Sequence, residues 1–187
     1  MEKTHKAHVA KWYHMIFFPD WLRRLYQKSR KFLGQLVKPG MTAADIGCGL
    51  GFYTVELARL VGENGRVLAV DFQPRMLDMA RKKAARKGVL SRITFIQCDQ
   101  DDLKLSEPVD FALTMWVVHE VPDRDRFFKQ IRDMLKPDGR YLLVEPTFHI
   151  KKEEYERICD EAEAAGLRRI CEPRVGLGRA VLFAGPD

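Results

Sequence analysis

The chain has 187 residues, 46% hydrophobic and 31% charged, with a net charge of +6. That size suits one α/β domain with a sizeable core, and apolar runs this short and this broken by charge exclude a membrane-spanning helix. The N-terminal MEKTHKAHVAKWYHM has no apolar segment before a small-residue cleavage site, so a cytoplasmic protein is expected, its four cysteines (48, 98, 159 and 171) reduced.

Residues 1–37 read as a separate helical piece, broken at Phe18-Pro19-Asp20 and rich in aromatics: Trp12, Tyr13, Phe17, Phe18 and Trp21. From residue 38 to 187 strands and helices alternate. Met41 to Ile46 is predicted as a strand and Gly51 to Val61 as a helix. Val67 to Val70 is a continuous apolar run of the kind found in buried parallel strands. Pro74 opens the next helix, which carries an apolar face of Met76, Leu77, Met79 and Ala80. Strands follow at Ile93 to Gln97 and Val109 to Val117. A helix over Asp123 to Leu135 is stopped by Lys136-Pro137-Asp138-Gly139. Then come a strand (Arg140 to Glu145), a helix (Lys151 to Ala165, stopped by Gly166) and two strands near Leu167 to Glu172 and Arg179 to Ala184. The order predicts an α/β fold, a mostly parallel sheet with helices on both faces and an antiparallel strand at its edge. The densest basic run, Arg81 to Lys87, falls on one helix and reads as a solvated face, so a nucleic-acid partner is not expected.

The stretch Ala43 to Ala58, AADIGCGLGFYTVELA, carries the strongest signal. Asp45 ends a strand, and Gly47, Gly49 and Gly51 follow at alternate positions before a helix. Such glycines let the backbone adopt conformations closed to other residues and let a ligand lie against bare main chain. Phe52 stands where a dinucleotide fingerprint requires its last glycine, and no P-loop lysine follows. Asp45-Ile46-Gly47-Cys48-Gly49-Leu50-Gly51 instead resembles the first motif of the class I S-adenosylmethionine-dependent methyltransferases. The resemblance covers residues 38–187 and implies a seven-stranded Rossmann-like sheet, its last strand antiparallel. It implies S-adenosylmethionine as cofactor, held around Asp45, Gly47, Cys48, Gly49 and Gly51.

Ligands of open α/β sheets bind outside the carboxyl ends of the strands, where Asp45, Asp71 and Asp99 fall. A carboxylate can accept both hydroxyls of a ribose, and the resemblance gives Asp71 that role. A nicotinamide enzyme would use Asp71 in the same way. The resemblance further implies that Asp99 accepts from the adenine amino group and that the main chain of Gln100 reads a ring nitrogen. Phe72 is a candidate to pack on the adenine, and Met115 and Trp116 to flank the methionine part. The alternative for each aspartate is capping of the following helix.

His119 and Glu120 follow the fourth strand, and His119 is the candidate catalytic base. Packing or capping is its alternative role. The segment Met115-Trp116-Val117-Val118 lacks the Asn/Asp-Pro-Pro-aromatic motif of the amide- and base-methylating branches. HEVPD, MLKPDGRYLLVEP and Val89 to Gln97 most resemble the small-molecule branch that includes the quinone-biosynthesis methyltransferases, which implies a small-molecule methyl acceptor. Only Thr147 to Ile150 separate the fifth strand from the next helix, so residues 1–37 are the candidate cap over the site; a helix docked on the sheet through its aromatics is the alternative. No cysteine pair has metal-site spacing, and no metal is expected. A nicotinamide-dependent oxidoreductase and a non-catalytic cofactor-binding regulator are the rival classes, and the oligomeric state is left open.

Overall fold

In the computed structural model, residues 29–185 are described. The elements are α1 (Ser29–Leu36), β1 (Thr42–Ile46), α2 (Phe52–Leu60), β2 (Arg66–Asp71), α3 (Pro74–Arg86), β3 (Ile93–Gln97), β4 (Val109–Met115), α4 (Arg124–Met134), β5 (Leu135–Pro146), α5 (Lys152–Ala164), β6 (Arg168–Cys171) and β7 (Gly178–Ala184). Short 3₁₀ turns lie at Leu90–Arg92 and Val118–Glu120. The strands form one sheet in the order β3-β2-β1-β4-β5-β7-β6.

Period-two alternation sends successive side chains to opposite faces, and here both faces are covered. Ala44, Ile46, Leu68, Val70 and Ala112 point to the layer of α4 and α5, against Phe127, Ile131 and Ile158. Ala43, Val67, Ala69, Phe111 and Leu113 point to the other layer, with Leu33, Leu57, Leu77 and Ala84. This is why the central strands read as unbroken apolar runs. Between β4 and β5 the Thr114 and Tyr141 hydroxyls share a 2.7 Å hydrogen bond inside the core. Pro74 occupies the first turn of α3, where its missing N–H costs nothing. The Asp123 carboxylate caps α4 by accepting from the Arg126 N–H at 3.0 Å. No helix among the described residues is long and apolar enough to cross a membrane.

Three expectations are revised. The antiparallel strand β7 is not at the edge. It pairs with β5 from Arg140↔Ala184 to Pro146↔Gly178, and β6 takes the edge beyond it. The side chains explain the order: β7 is apolar and mostly buried, whereas β6 is Arg-rich and mostly exposed, the composition an edge tolerates. The second revision is at β5, which starts at Leu135 instead of Arg140. Leu135 pairs with Val109, and the register then jumps to Phe111↔Arg140, so Lys136 to Gly139 form a bulge within the strand. Lys136 Nζ holds the bulge on the Asp110 carboxylate at 2.8 Å. The third is β4, which stops at Met115 because Trp116 turns to a positive φ of 63°.

The N-terminal piece falls largely outside the described residues. Its last part, α1, sits on the domain: Leu33 and Val37 are buried in the core layer that α2 and α3 share.

Candidate functional site

The order of the sheet reverses at β1, whose neighbours are β2 on one side and β4 on the other. A crevice opens at the carboxyl ends of the strands there, the place where such folds bind ligands. It is a cleft of about 570 Å³, a volume suited to a small molecule.

The glycine turn forms one wall. Gly47, Gly49 and Gly51 have φ of 69°, 51° and 72°, all left-handed. The N–H groups of Gly47 and Cys48 both reach the Val70 carbonyl at 2.9 Å, which folds the turn back over β2. A Cβ at Gly47 would lie 2.4 Å from a Val117 methyl. Asp45, buried at the end of β1, accepts from the Thr54 hydroxyl at 2.5 Å, tying the strand to α2 beneath the turn. Cys48 lines the cleft, and burial, with the charges of Asp45 and Asp71, pushes its thiol well above the usual range, which favours the protonated thiol.

Asp71 ends β2 and organises the adjacent wall. Its Oδ2 accepts from the Gly49 N–H at 2.8 Å and its Oδ1 from the Gln73 N–H at 2.9 Å. Each oxygen keeps a second lone pair for a ligand. Burial raises its pKa against the lowering by those two N–H groups, and the Glu120 charge adds to the rise. Phe72 is exposed at the rim. The Asp99 side chain is 60% exposed and paired with Lys104 Nζ at 2.8 Å. Gln100 is also exposed on the cleft. Burial pushes the nearby Cys98 thiol up to about 11.

Met115 and Trp116 close the opposite side. Trp116 holds its left-handed backbone by donating its N–H to the Val144 carbonyl at 2.8 Å, and its indole meets the Phe148 ring edge-to-face, centroids 5.5 Å apart. A non-glycine residue in that region costs on the order of 1–3 kcal/mol, and such strain gathers at ligand sites.

His119, on the turn after β4, faces the same cleft. Its Nδ1 is hydrogen-bonded to Glu145 Oε2, and Glu145 Oε1 accepts the Val118 N–H at 2.9 Å. Glu145 is 1% exposed, at the inner end of β5. Burial lowers the His119 pKa, but the Glu145 hydrogen bond and the charges of Glu145 and Glu120 outweigh it and leave the imidazole above its ordinary 6.5.

Of the predicted residues, the cleft gathers Asp45, Gly47, Cys48, Gly49, Asp71, Phe72, Asp99, Gln100, Met115, Trp116 and His119. Gly51 does not line it. Its absent side chain instead makes room for Ala80 of α3. Sequence reading missed Glu145, His149 and Phe148. Glu145 had a signal, an acid inside the apolar run YLLVEP at a strand's carboxyl end. Phe148 and His149 sit in a short connection with no periodicity to mark them. Among the described residues, no group of three or more His, Cys, Asp and Glu could hold a metal ion.

The residues present fit S-adenosylmethionine: a bare-backbone turn, a buried carboxylate with free lone pairs beside it, and an aromatic at the rim.

Comparison with known proteins agrees. A family model described as a methyltransferase domain matches residues 37–175. The chain is 34% identical over 128 residues to a demethylmenaquinone methyltransferase of Lactobacillus johnsonii, covering 68% of this chain and 50% of that protein. It is 32% identical over 110 residues to the ubiquinone/menaquinone biosynthesis C-methyltransferase UbiE of Escherichia coli, covering 58% and 44%. The chain thus spans about half the length of these curated relatives. Among solved structures, a SAM-dependent methyltransferase from Aquifex aeolicus superposes with a TM-score of 0.83 at 24% identity, covering 94% of this chain and 98% of that one. Aeropyrum pernix fibrillarin with natively bound S-adenosyl-L-methionine superposes at 0.66 and 17% identity, covering 84% and 74%. By its sequence match and its seven-stranded sheet alike, the chain belongs to the methyltransferase-domain family and has the fold of the S-adenosylmethionine-dependent enzymes.

Proposed function

We propose that this protein transfers a methyl group from S-adenosylmethionine to a small hydroxylated aromatic acceptor of the quinone-precursor kind. The observation that carries the reading is Asp71, whose carboxylate is buried against the glycine turn through Gly49 while still lining the cleft. When bound, S-adenosylmethionine supplies an electrophilic methyl group. The chain's own residues then have three tasks: Asp71 and the turn hold the nucleoside, Trp116 and Phe148 shape the apolar side where a flat acceptor enters, and His119 is placed to take a proton. Alignment and exclusion of water contribute on the order of 7–11 kcal/mol in such reactions. The acceptor class is supported by the names of the two curated relatives and by the aromatic wall.

S-adenosylhomocysteine is expected to bind near 1 μM, about −8 kcal/mol, by calorimetry at neutral pH, with NAD giving no heat. NAD binding without S-adenosylhomocysteine binding would favour the oxidoreductase instead. Turnover of a short-chain demethylmenaquinol, read by mass spectrometry as a gain of one methyl group, tests the acceptor. Cofactor binding with no turnover on a panel of phenols and hydroquinones would favour a regulatory protein.

A cap from the N-terminal piece belongs to this proposal. β5 ends at Pro146 and α5 begins at Lys152, too short a link to cover the cleft, and Phe148 stands 65% exposed at its mouth. Because Leu33 and Val37 are buried, the truncation that tests the cap removes residues 1–28 only. S-adenosylhomocysteine affinity is expected within a few fold of the full chain, with methyl transfer lost. Transfer at the full rate would place the whole acceptor pocket in the remaining domain.

A further inference from the structure

We infer that Glu145 is the positioning residue of a base dyad, fixing His119 so that its Nε2 takes a proton from the methyl acceptor. The inference rests on the methyl-transfer reading and deepens it. It confines the acceptor to molecules that must lose a proton, such as a phenol or an electron-rich ring carbon, in preference to soft nucleophiles that are already anionic at neutral pH.

The geometry is specific. Glu145 lies at the inner end of β5, beneath the cleft and not on its surface, and both its oxygens are engaged from one side: Oε1 by the Val118 N–H and Oε2 by His119 Nδ1. A carboxylate is acceptor-only, so the neutral imidazole must present its hydrogen at Nδ1. That leaves Nε2, on the far edge of the ring, as the nitrogen with a free lone pair. His119 lines the cleft and its side chain keeps 12% exposure there. The arrangement follows the logic of an imidazole base oriented by a buried acid.

The proton balance closes. For a hydroxyl acceptor the O–H bond breaks, its pair on oxygen forms the bond to the methyl carbon, and an N–H bond forms at Nε2; for a ring carbon a π pair of the ring forms the bond to the methyl carbon, and the C–H pair then returns to the ring as Nε2 takes the proton. The carbon–sulfur pair of S-adenosylmethionine leaves with the sulfur. The imidazolium is held by Glu145 and returns its proton to water when product leaves.

Every charged neighbour bears on this titration. Glu145 on β5 and Glu120 on the same turn, its Oε1 3.9 Å from Nε2, favour the protonated ring, while Arg124 at the start of α4 opposes it. His149, after β5, lies with its ring centroid 5.2 Å away and meets the His119 ring at 65°. Below pH 6.5 the raised His119 contributes stability, and that contribution is lost as pH rises through its folded value.

Two readouts on the full chain, neither needing turnover, test the dyad. Nitrogen-15 NMR of the imidazoles, assigned with His119→Asn, is expected to show neutral His119 protonated at Nδ1, with a midpoint above 6.5 that falls in Glu145→Gln. An Nε2-protonated tautomer in the wild-type protein overturns the inference, and this measurement stands even where Glu145→Gln fails to fold. Carbethoxylation followed by peptide mass spectrometry reads whether Nε2 is open. Modification of His119 that follows its NMR midpoint, and slows when S-adenosylhomocysteine fills the cleft, supports the base role. An unmodified His119 beside a modified His149 makes the pair structural and overturns it. Failure of methyl transfer with both readouts as expected would sink the reaction and leave the dyad standing.

Discussion

Asp71→Ala is expected to weaken S-adenosylhomocysteine binding by about 100- to 20,000-fold, the loss of two charge-assisted hydrogen bonds, while leaving the domain folded. The magnitude comes from hydrogen bonds to a charged acceptor, about 1.5–3 kcal/mol each, with tenfold in affinity for every 1.4 kcal/mol. The carboxylate acts twice. It offers two open lone pairs to the ligand, and it fixes the ligand's surroundings by accepting from Gly49 and Gln73. Removing it therefore takes away contacts and loosens the turn that would receive the methionine part. The fold is expected to survive because Asp71 is the last residue of β2 and lines the cleft, outside both packed core layers. Burial raises the Asp71 pKa from 3.8 with help from Glu120, so its ionisation works against stability as pH rises through the raised value. A salt-bridged carboxylate would show the opposite sign. Asp71→Asn sharpens the test. One oxygen remains as an acceptor, but the amide group must face either the Gly49 or the Gln73 N–H, donor against donor, so affinity is expected to fall nearly as far as with alanine. Calorimetry checks both variants, and wild-type affinity in Asp71→Ala would remove Asp71 from the site.

Much of this site was legible because its residues sit where strand periodicity ends. Asp45, Asp71 and Asp99 close apolar runs, and a polar residue after a buried parallel strand falls by construction at the carboxyl edge of the sheet. The glycines were legible because their alternate spacing has no role inside a helix or a strand. What escaped depends on contacts between segments far apart in the chain. Glu145 belongs to β5 and His119 to the turn after β4, and only the pairing of Met115 with Val144 brings them together. The place of β7 escaped for a related reason. Strand order in the C-terminal hairpin is settled by which strand buries more apolar surface beside β5, and local pattern does not show that. Lys136 to Gly139 read as a plain turn because Pro and Gly signal turns equally well inside a bulge, and the deciding partner, Asp110, is 26 residues away.

The three glycines of the motif are alike in sequence and unlike in work, and Gly51→Val separates them. Gly51 begins α2 at φ 72°, a conformation a β-branched residue avoids. A Cβ there would stand 2.7 Å from the Ala80 Cβ and 3.0 Å from the Ala80 Cα on α3. The second clash is with main chain, so no side-chain rotation relieves it, and the two helices must separate. Left-handed strain of about 1–2 kcal/mol adds to an overpacking cost of about 1–3 kcal/mol. At about 2–4 °C per kcal/mol for a chain of this size, the melting temperature is expected to fall by about 5–20 °C. Ala80→Gly in the same chain removes the nearer atom and is expected to restore part of the loss, since the clash with the main chain of α3 persists. Affinity for S-adenosylhomocysteine in the folded protein is expected to stay within about tenfold of wild type, because Gly51 lies behind the cleft wall. Thermal melting with and without the ligand measures both quantities at once. An unchanged melting temperature with lost binding would instead put Gly51 on the cofactor surface beside Gly47 and Gly49.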